Sequence, residues 1–370
     1  MKLDNQKMKK FLTSSAVPIL FLLISVIAIP LSKFTGVYLV REIVTRLARD
    51  SFLVLALLLP VMAGMGINFG MVLGAMAGQI GLIFVTDWGV HGWLGLLLAA
   101  LIGTPISILL GYFGGSVLNR AKGREMITSM LLGFFVSGIY QFLLLYICGS
   151  LIPIKSPTLL LSRGYGIRNA ITLDVAGGFD KILRIKIGAV PVPIGTFLII
   201  AAVCLFIVWF RKTKLGQDMR AVGQDMAVSD TAGIKVDKTR IQAIIISTVL
   251  ACYGQIIYLQ DIGTLNTYNG SDQAALFAAA ALLVGGATVN KATIPNAIIG
   301  TALFHLMFIV MPKAGANLTG SGMLGEYLRM FVCYGVVTIA LVLHAWKRHK
   351  DKEMDRAFLR AAAGGTGAGK

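Results

Sequence analysis

The sequence predicts an all-α, polytopic membrane protein of about ten transmembrane helices, and three observations predict it. Between Lys10 and Lys347 the chain is a succession of apolar runs, most about twenty residues long, the length an α-helix needs to cross a hydrocarbon core about 30 Å thick. Hydrophobic residues make up 56% of the 370 residues and charged residues only 14%, with a mean hydropathy of +0.79; a water-soluble domain carries about 25% charged residues. Lysine and arginine produce a formal net charge of +17 but gather at the two ends and in a few segments between runs. That is the pattern of a positive-inside bias, so the bilayer is the expected partner and nucleic acid is not.

Taken in order, the first run, Phe11 to Leu31, is too long for a typical signal core and lacks a small-residue cleavage pattern. An uncleaved first span is expected there. Further spans are expected at about 40–66, 70–87, 92–117, 126–149, 192–210, 241–259, 272–287, 293–311 and 326–346. The first half of the second carries Arg41, Glu42, Arg46 and Arg49 up to Asp50, so part of it is expected at the membrane interface with its charged heads snorkelling.

An even number of spans puts both termini on one side. Lys2, Lys7, Lys9 and Lys10, then Arg120, Lys122 and Arg124, then seven cations from Arg211 to Arg240, then the basic tail from Lys347 all fall on that side if it is cytoplasmic. The long 150–191 connection is expected outside, although it holds Lys155, Arg163, Arg168, Lys181, Arg184 and Lys186. Its glycines, with Pro191 and Pro193, predict an ordered cap, packed by Ile182, Leu183, Ile185 and Ile187. The expected organisation is one membrane domain over 1–350 and a flexible cytoplasmic tail over 351–370.

Two apolar stretches are broken alike, at Gly64 to Gly70 and at Gly285 to Lys291. Glycine and asparagine there can unwind a helix where a cavity is lined, or make a tight turn and a close helix crossing. Both readings stay open on sequence.

Catalytic chemistry is not expected. Cys148, Cys204, Cys252 and Cys333 are far apart, with no CxxC or Cys/His cluster, so neither a metal nor a disulfide framework is indicated. No HExxH, Ser/His/Asp set or paired carboxylates appear. The terminal Gly364 to Lys370 spells G-x4-G-K but lacks the Ser/Thr, the preceding strand and the following helix of a phosphate-binding loop. No cofactor is expected.

The polar segment Arg211 to Arg240 is the most informative part of the chain. Asp225 can act as an N-cap, residues 226 to 232 can form a short helix offering Met226, Ala227 and Ala232 for contact, and Gly233 fits the left-handed position after its end. Such a capped unit can dock in a partner's groove; an unpartnered surface helix is the alternative.

Leu215-Gly216, Arg220-Ala221-Val222-Gly223, Ala227 and Ala232-Gly233-Ile234-Lys235-Val236 together resemble the loop after the sixth span in the permease subunits of bacterial ABC importers of the ribose, simple-sugar, nucleoside and branched-chain amino acid group. Gly66-Ile67-Asn68-Phe69-Gly70 is similar to a Gly-Ile-Asp-Leu-Ser turn of the sugar permeases, and Leu283 to Thr288 to their Leu-Gly-Gly-Thr stretch. Asp225, Met226, Val228 and Asp230 depart from the family's usual residues, and Asn68 stands where the family has Asp.

The resemblance implies a half-pore in the bacterial plasma membrane, paired with a second permease subunit. Two cytoplasmic ABC ATPase subunits would drive it through Asp225, Met226, Ala227, Ala232 and Gly233, and an extracytoplasmic binding protein would deliver the solute. Neutral polar residues and an aromatic suited to line a path are Asn68, Phe69, Gln79, Gln141, Gln255 and Asn290, with Ser129, Ser137, Phe134 and Tyr140 beside them. They suit a sugar or nucleoside better than a carboxylate, with a branched-chain amino acid as the alternative cargo. A secondary transporter is the competing class; its candidate ion-coupling residues are Asp87, His305, Glu326 and Arg329, and His305 has no partner legible in sequence.

Overall fold

The computed structural model describes residues 16–331 and, beyond them, residues 334, 335, 338 and 342. The N-terminal lysines, Cys333, most of the expected tenth span and the glycine-rich tail over 351–370 lie outside the described residues. Helices dominate: α1 (Ala16–Ser32), α2 (Gly36–Ala56), α3 (Leu58–Met62), α4 (Val72–Asp87), α5 (Gly92–Arg120), α6 (Glu125–Phe142), α7 (Ile194–Phe210), α8 (Lys214–Gln224), α9 (Met226–Thr231), α10 (Val236–Ile262), α11 (Gly270–Val284) and α12 (Ile294–Thr319). A tight 3-10 turn, Phe69–Met71, leads into α4, a π-turn, Leu143–Ile147, prolongs α6, and a further helix begins at 322.

Five of these helices, counting the turns that extend α4 and α6, are long and apolar enough to cross a membrane. A sixth span results if α7 is joined to α8, which leaves it at 75°, and α1 and α11 are shorter apolar helices. The chain is thus a helical, polytopic membrane protein.

α10 is the central helix, with α5, α4 and α2 packed along it. α4 and α10 are buried along most of their length, whereas α5 and α7 turn Leu101, Leu109 and Leu205 outward, each about 70% exposed. Leaving such leucines in water would forfeit about 2 kcal/mol apiece; in a bilayer they face lipid.

α2 departs from expectation. The expected second span, 40–66, divides after Ala56 into α2 and α3, and within α2 Arg49 and Asp50 turn inward rather than snorkelling, whereas Arg41 is exposed. Arg49 Nε and Nη2 donate to Asp50 Oδ2 at 3.1 and 3.0 Å, and Arg49 Nη1 reaches Asp261 Oδ2 on α10 at 3.5 Å. On α12, His305 Nε2 lies 3.0 Å from the same Asp50 oxygen. A charge is tolerated inside a bundle when it is paired and hydrogen-bonded, so these contacts tether α2 to both α10 and α12.

The 150–191 connection is ordered, as its turns suggest, but by other residues than expected. Two small antiparallel sheets form: β1 (Ala170–Thr172) pairs with β4 (Thr264–Asn266), and β2 (Arg184–Ile187) forms a hairpin with β3 (Val190–Pro193). Ile182, Leu183, Ile185 and Ile187 are about half exposed or more, while Leu159, Ile167, Ile171, Leu173 and Val175 are buried. The reason is the hairpin: β3 lies against α2, and β2 is its outer strand, whose side chains stay exposed. Asp87 Oδ1 pins the connection by accepting from the Lys155 and Ser156 amides at 2.7 and 2.8 Å, and Gln260 Oε1 accepts from Phe179 N at 2.9 Å. Asp87 therefore acts as a structural anchor. The phenol of Tyr268, also in a connecting segment, donates to Ile167 O at 2.6 Å, and burial pushes its pKa upward.

The connection closes over the C-terminal end of α10, and the 211–240 segment lies at its N-terminal end. Both glycine-rich breaks lie by that segment. A Cβ at Gly64 would come 2.8 Å from Gly223 Cα on α8, and one at Gly66 would come 2.9 Å from Val289 in the second break. In the second break, a Cβ at Gly285 would come 1.9 Å from Asn296 O, so α11 and α12 cross backbone to backbone. Close crossing through small residues is what this break does.

Candidate functional site: a capped loop helix joined to a cleft

The loop helix α9 is built by local rules. Asp225, at φ −152°, accepts on Oδ1 from the amides of Ala227 and Val228 at 2.8 and 3.0 Å, satisfying two donors that the helix start leaves unpaired. At the other end Gly233, at φ +83°, donates to Asp230 O at 2.9 Å, and Ile234 donates to Ser229 O at 3.0 Å. These two bonds are the Schellman pattern, and the left-handed residue it needs is supplied by glycine.

The six-residue helix has two faces. Ser229 is buried and donates to Asp225 O at 2.7 Å, and Met226 is half-buried; Ala227, Val228, Ala232 and Gly233 are exposed, Val228 to 63%. A groove of about 620 Å³ runs beside it, bordered by Met226, Ala227, Asp230 and the Lys122–Asp237 pair, whose Nζ and Oδ1 are 2.6 Å apart.

From its inward face α9 is tied to the bundle. Arg240, on the first turns of α10, is fully buried. Its Nη1 lies 3.0 Å from Met226 Sδ, and its Nη2 forms an ion pair with Glu125, the first residue of α6. One guanidinium thereby joins the loop helix, the central helix and α6.

α6 in turn walls a cleft of about 440 Å³. Phe69 and Val72 form one side, Met126, Met130, Gly133 and Phe134 of α6 another, and Asp272, Ala275 and Leu276 of α11 a third. Polar contacts stitch the helices together here. Ser137 Oγ donates to Asp272 Oδ1 at 2.8 Å, Tyr140 OH donates to Gln79 Oε1 at 2.9 Å, and Phe69 N donates to Ser129 Oγ at 3.2 Å. No cation lines the cleft among the described residues.

Of the residues expected along a path, Phe69 lines this cleft and Asn68 adjoins it, its Oδ1 accepting from Gly70 N at 2.9 Å. Gln79 is buried behind, bonded to Tyr140, and Gln141 Nε2 donates to Tyr268 O at 3.2 Å. Gln255 is wholly buried with both amide atoms unpartnered among the described residues. Asn290 is exposed and borders a different cavity, beside α8.

Asp272 was not singled out from the sequence. The signal available was an acid in the first turn of α11, after Asn269-Gly270-Ser271, which reads equally as a favourable helix start. Arg240 and Glu125 were missed because 115 residues separate them.

A multi-pass helical bundle with a short, doubly capped helix between two of its long helices defines the class, a polytopic membrane protein. Over residues 16–341 the chain matches the family described as branched-chain amino acid transport system / permease component, and it belongs to that family, the permease subunits of ABC importers of the simple-sugar and branched-chain group in the bacterial plasma membrane.

Among curated proteins it is similar to the autoinducer 2 import system permease protein LsrD. It is 26% identical to that of Escherichia coli O157:H7 over 254 residues, and 25% identical to those of E. coli K12 and Shigella flexneri over the same length. Each match covers 67% of this chain and 66% of the relative, just under two thirds of the relatives' own length. No solved structure gives a significant match.

Proposed function

We propose that this chain is one half of an ATP-driven import pore, with ten spans, both termini and the 211–240 segment cytoplasmic, and the 150–191 connection outside. Separate ABC ATPase subunits supply the energy, a second permease subunit completes the pathway, and an extracytoplasmic binding protein delivers the solute. The observation that carries this reading is α9: a helix capped at both ends, with an exposed face of Ala227, Val228 and Ala232 and an inner face fastened through Met226 and Arg240 to α6. A rigid unit of this kind can seat in a partner's groove and move as one piece.

The cargo is a small polar, hydroxyl-rich solute. Asp272, held by Ser137, can accept hydrogen bonds from hydroxyls and Phe69 and Phe134 can pack on a ring face, whereas no described cation lines the cleft to hold a carboxylate. The named relatives import autoinducer 2, and the family description speaks of branched-chain amino acids; the cleft favours the hydroxylated solute over the amino acid.

The Asp50–His305 pair is the one observation that favours a secondary transporter, since a buried histidine–carboxylate pair can carry a proton. Arg49 and Asp261 close that pair into a structural network, which fits a tether better. The deciding experiment is uptake by proteoliposomes containing this chain, its companion permease and ATPase, with the solute-loaded binding protein supplied. Uptake that needs ATP and survives collapse of the proton gradient supports the reading; uptake driven by the gradient without ATP would overturn it.

A further inference from the structure

A cavity of about 500 Å³ lies where α3, α7, α8 and the second glycine-rich break meet. Its floor is apolar and deep: Leu58, Leu59 and Ile207 are each buried. Its rim is basic, with Arg211, Arg220 and Lys291 all exposed, each brought by a different segment. None of the three side chains has a hydrogen-bond or ion-pair partner among the described residues, and no acidic residue lines the cavity. Cations brought together without a counter-ion repel one another, and an anion bound between them removes that cost.

The depth of the cavity in the bilayer follows from α7. Ile207 belongs to that apolar helix, and Trp209, two residues before Arg211, is 62% exposed. An exposed tryptophan at a span's end sits at headgroup level. A basic rim over an apolar floor at that depth matches an amphiphile with an anionic head.

The cavity is held open by the backbone. A Cβ on Gly223 would come 2.2 Å from Met62 O, so α8 lies directly on α3 and sets Arg220 at the rim. Thr293, also lining the cavity, accepts from Asn296 N as the N-cap of α12 and fixes the segment that carries Lys291.

We propose that this cavity is a binding site for an anionic phospholipid, its phosphate held among Arg211, Arg220 and Lys291 and the start of its acyl chains on Leu58, Leu59 and Ile207. Basic pockets between transmembrane helices recognise acidic lipid heads in this way. The site is separate from the cleft beside α6, and its test is independent of transport.

The test uses the purified full-length chain, delipidated in detergent and titrated with phosphatidylglycerol, phosphatidylcholine or inorganic phosphate, with bound lipid counted by native mass spectrometry. Phosphatidylglycerol is expected to be retained in preference to phosphatidylcholine. Each cation is expected to contribute about fivefold in affinity, so Arg220→Gln should weaken retention about fivefold and the triple change Arg211→Gln, Arg220→Gln, Lys291→Gln should abolish the preference. The single Arg220→Gln variant, at an exposed position, keeps the test open should the triple variant misfold.

Equal retention of phosphatidylglycerol by wild type and both variants would overturn the site. Inorganic phosphate that displaces the lipid at low millimolar concentration would reassign the pocket to a soluble anion. Loss of ATPase binding by the triple variant in lipid-free detergent would reassign it to a protein contact.

Discussion

At the scale of single residues, Gly233 shows how much can rest on one backbone angle. Nothing lies within 4 Å of a Cβ built there, so space is not the constraint; the φ of +83° is. A β-branched residue in that region costs about 2 kcal/mol, enough to undo a six-residue helix that has little stability of its own. Gly233→Val is therefore expected to cut uptake severalfold with expression and insertion near normal, while Gly233→Asn, which tolerates the left-handed region, retains most of it. Equal uptake by both variants would show that α9 is not needed in its capped form. Asp225→Ala should act similarly but more mildly, since losing such a cap costs about 1 kcal/mol. Both positions were legible in the sequence because capping is a short-range code: an Asp, a gap of seven residues, a Gly. Val228 was not, since which side of so short a helix is exposed depends on the contact between Met226 and the distant Arg240, which turns Met226 inward.

At the scale of elements, the Arg240–Glu125 pair is the link between α9 and the cleft. Glu125→Gln would leave a fully buried guanidinium without its counter-charge, a loss of about 3–5 kcal/mol. Arg240→Met removes the charge itself, and the double variant Glu125→Gln/Arg240→Met should recover much of the stability because neither charge remains. Coupling should not recover with it. Thermal unfolding in detergent is expected to rank the double variant above Glu125→Gln, while substrate moved per ATP in the assembled importer stays low in both. If the double variant transports like the wild type, the pair is a packing device and force reaches α6 by another route. The same scale holds the Asp50–His305 tether. The charges on α2 were legible, but the inward direction of Arg49 and Asp50 was not, because it depends on partners on α10 and α12 more than two hundred residues away.

At the scale of the whole molecule, the apolar runs marked the helices closely: the run at 92–117 is Gly92–Arg120, and that at 241–259 is Val236–Ile262. Run length and hydropathy are properties of a segment alone. The sheets of the 150–191 connection are different, because β1 finds its partner β4 nearly a hundred residues later, beyond α10. Opposite ends of α10 meet that connection and the 211–240 segment, so the two must lie on opposite faces of the membrane if α10 spans it. The prediction is labelling of single cysteines, in a background without the native four, by an impermeant maleimide on intact cells. Val228→Cys is the inner probe, being 63% exposed. Ile185→Cys, on the exposed hairpin, is the outer one. Ile185→Cys should label in intact cells and Val228→Cys only after permeabilisation. Labelling of both from outside would mean that α10 does not cross the bilayer, and the reverse pattern would invert the pore, placing α9 where no cytoplasmic ATPase could reach it.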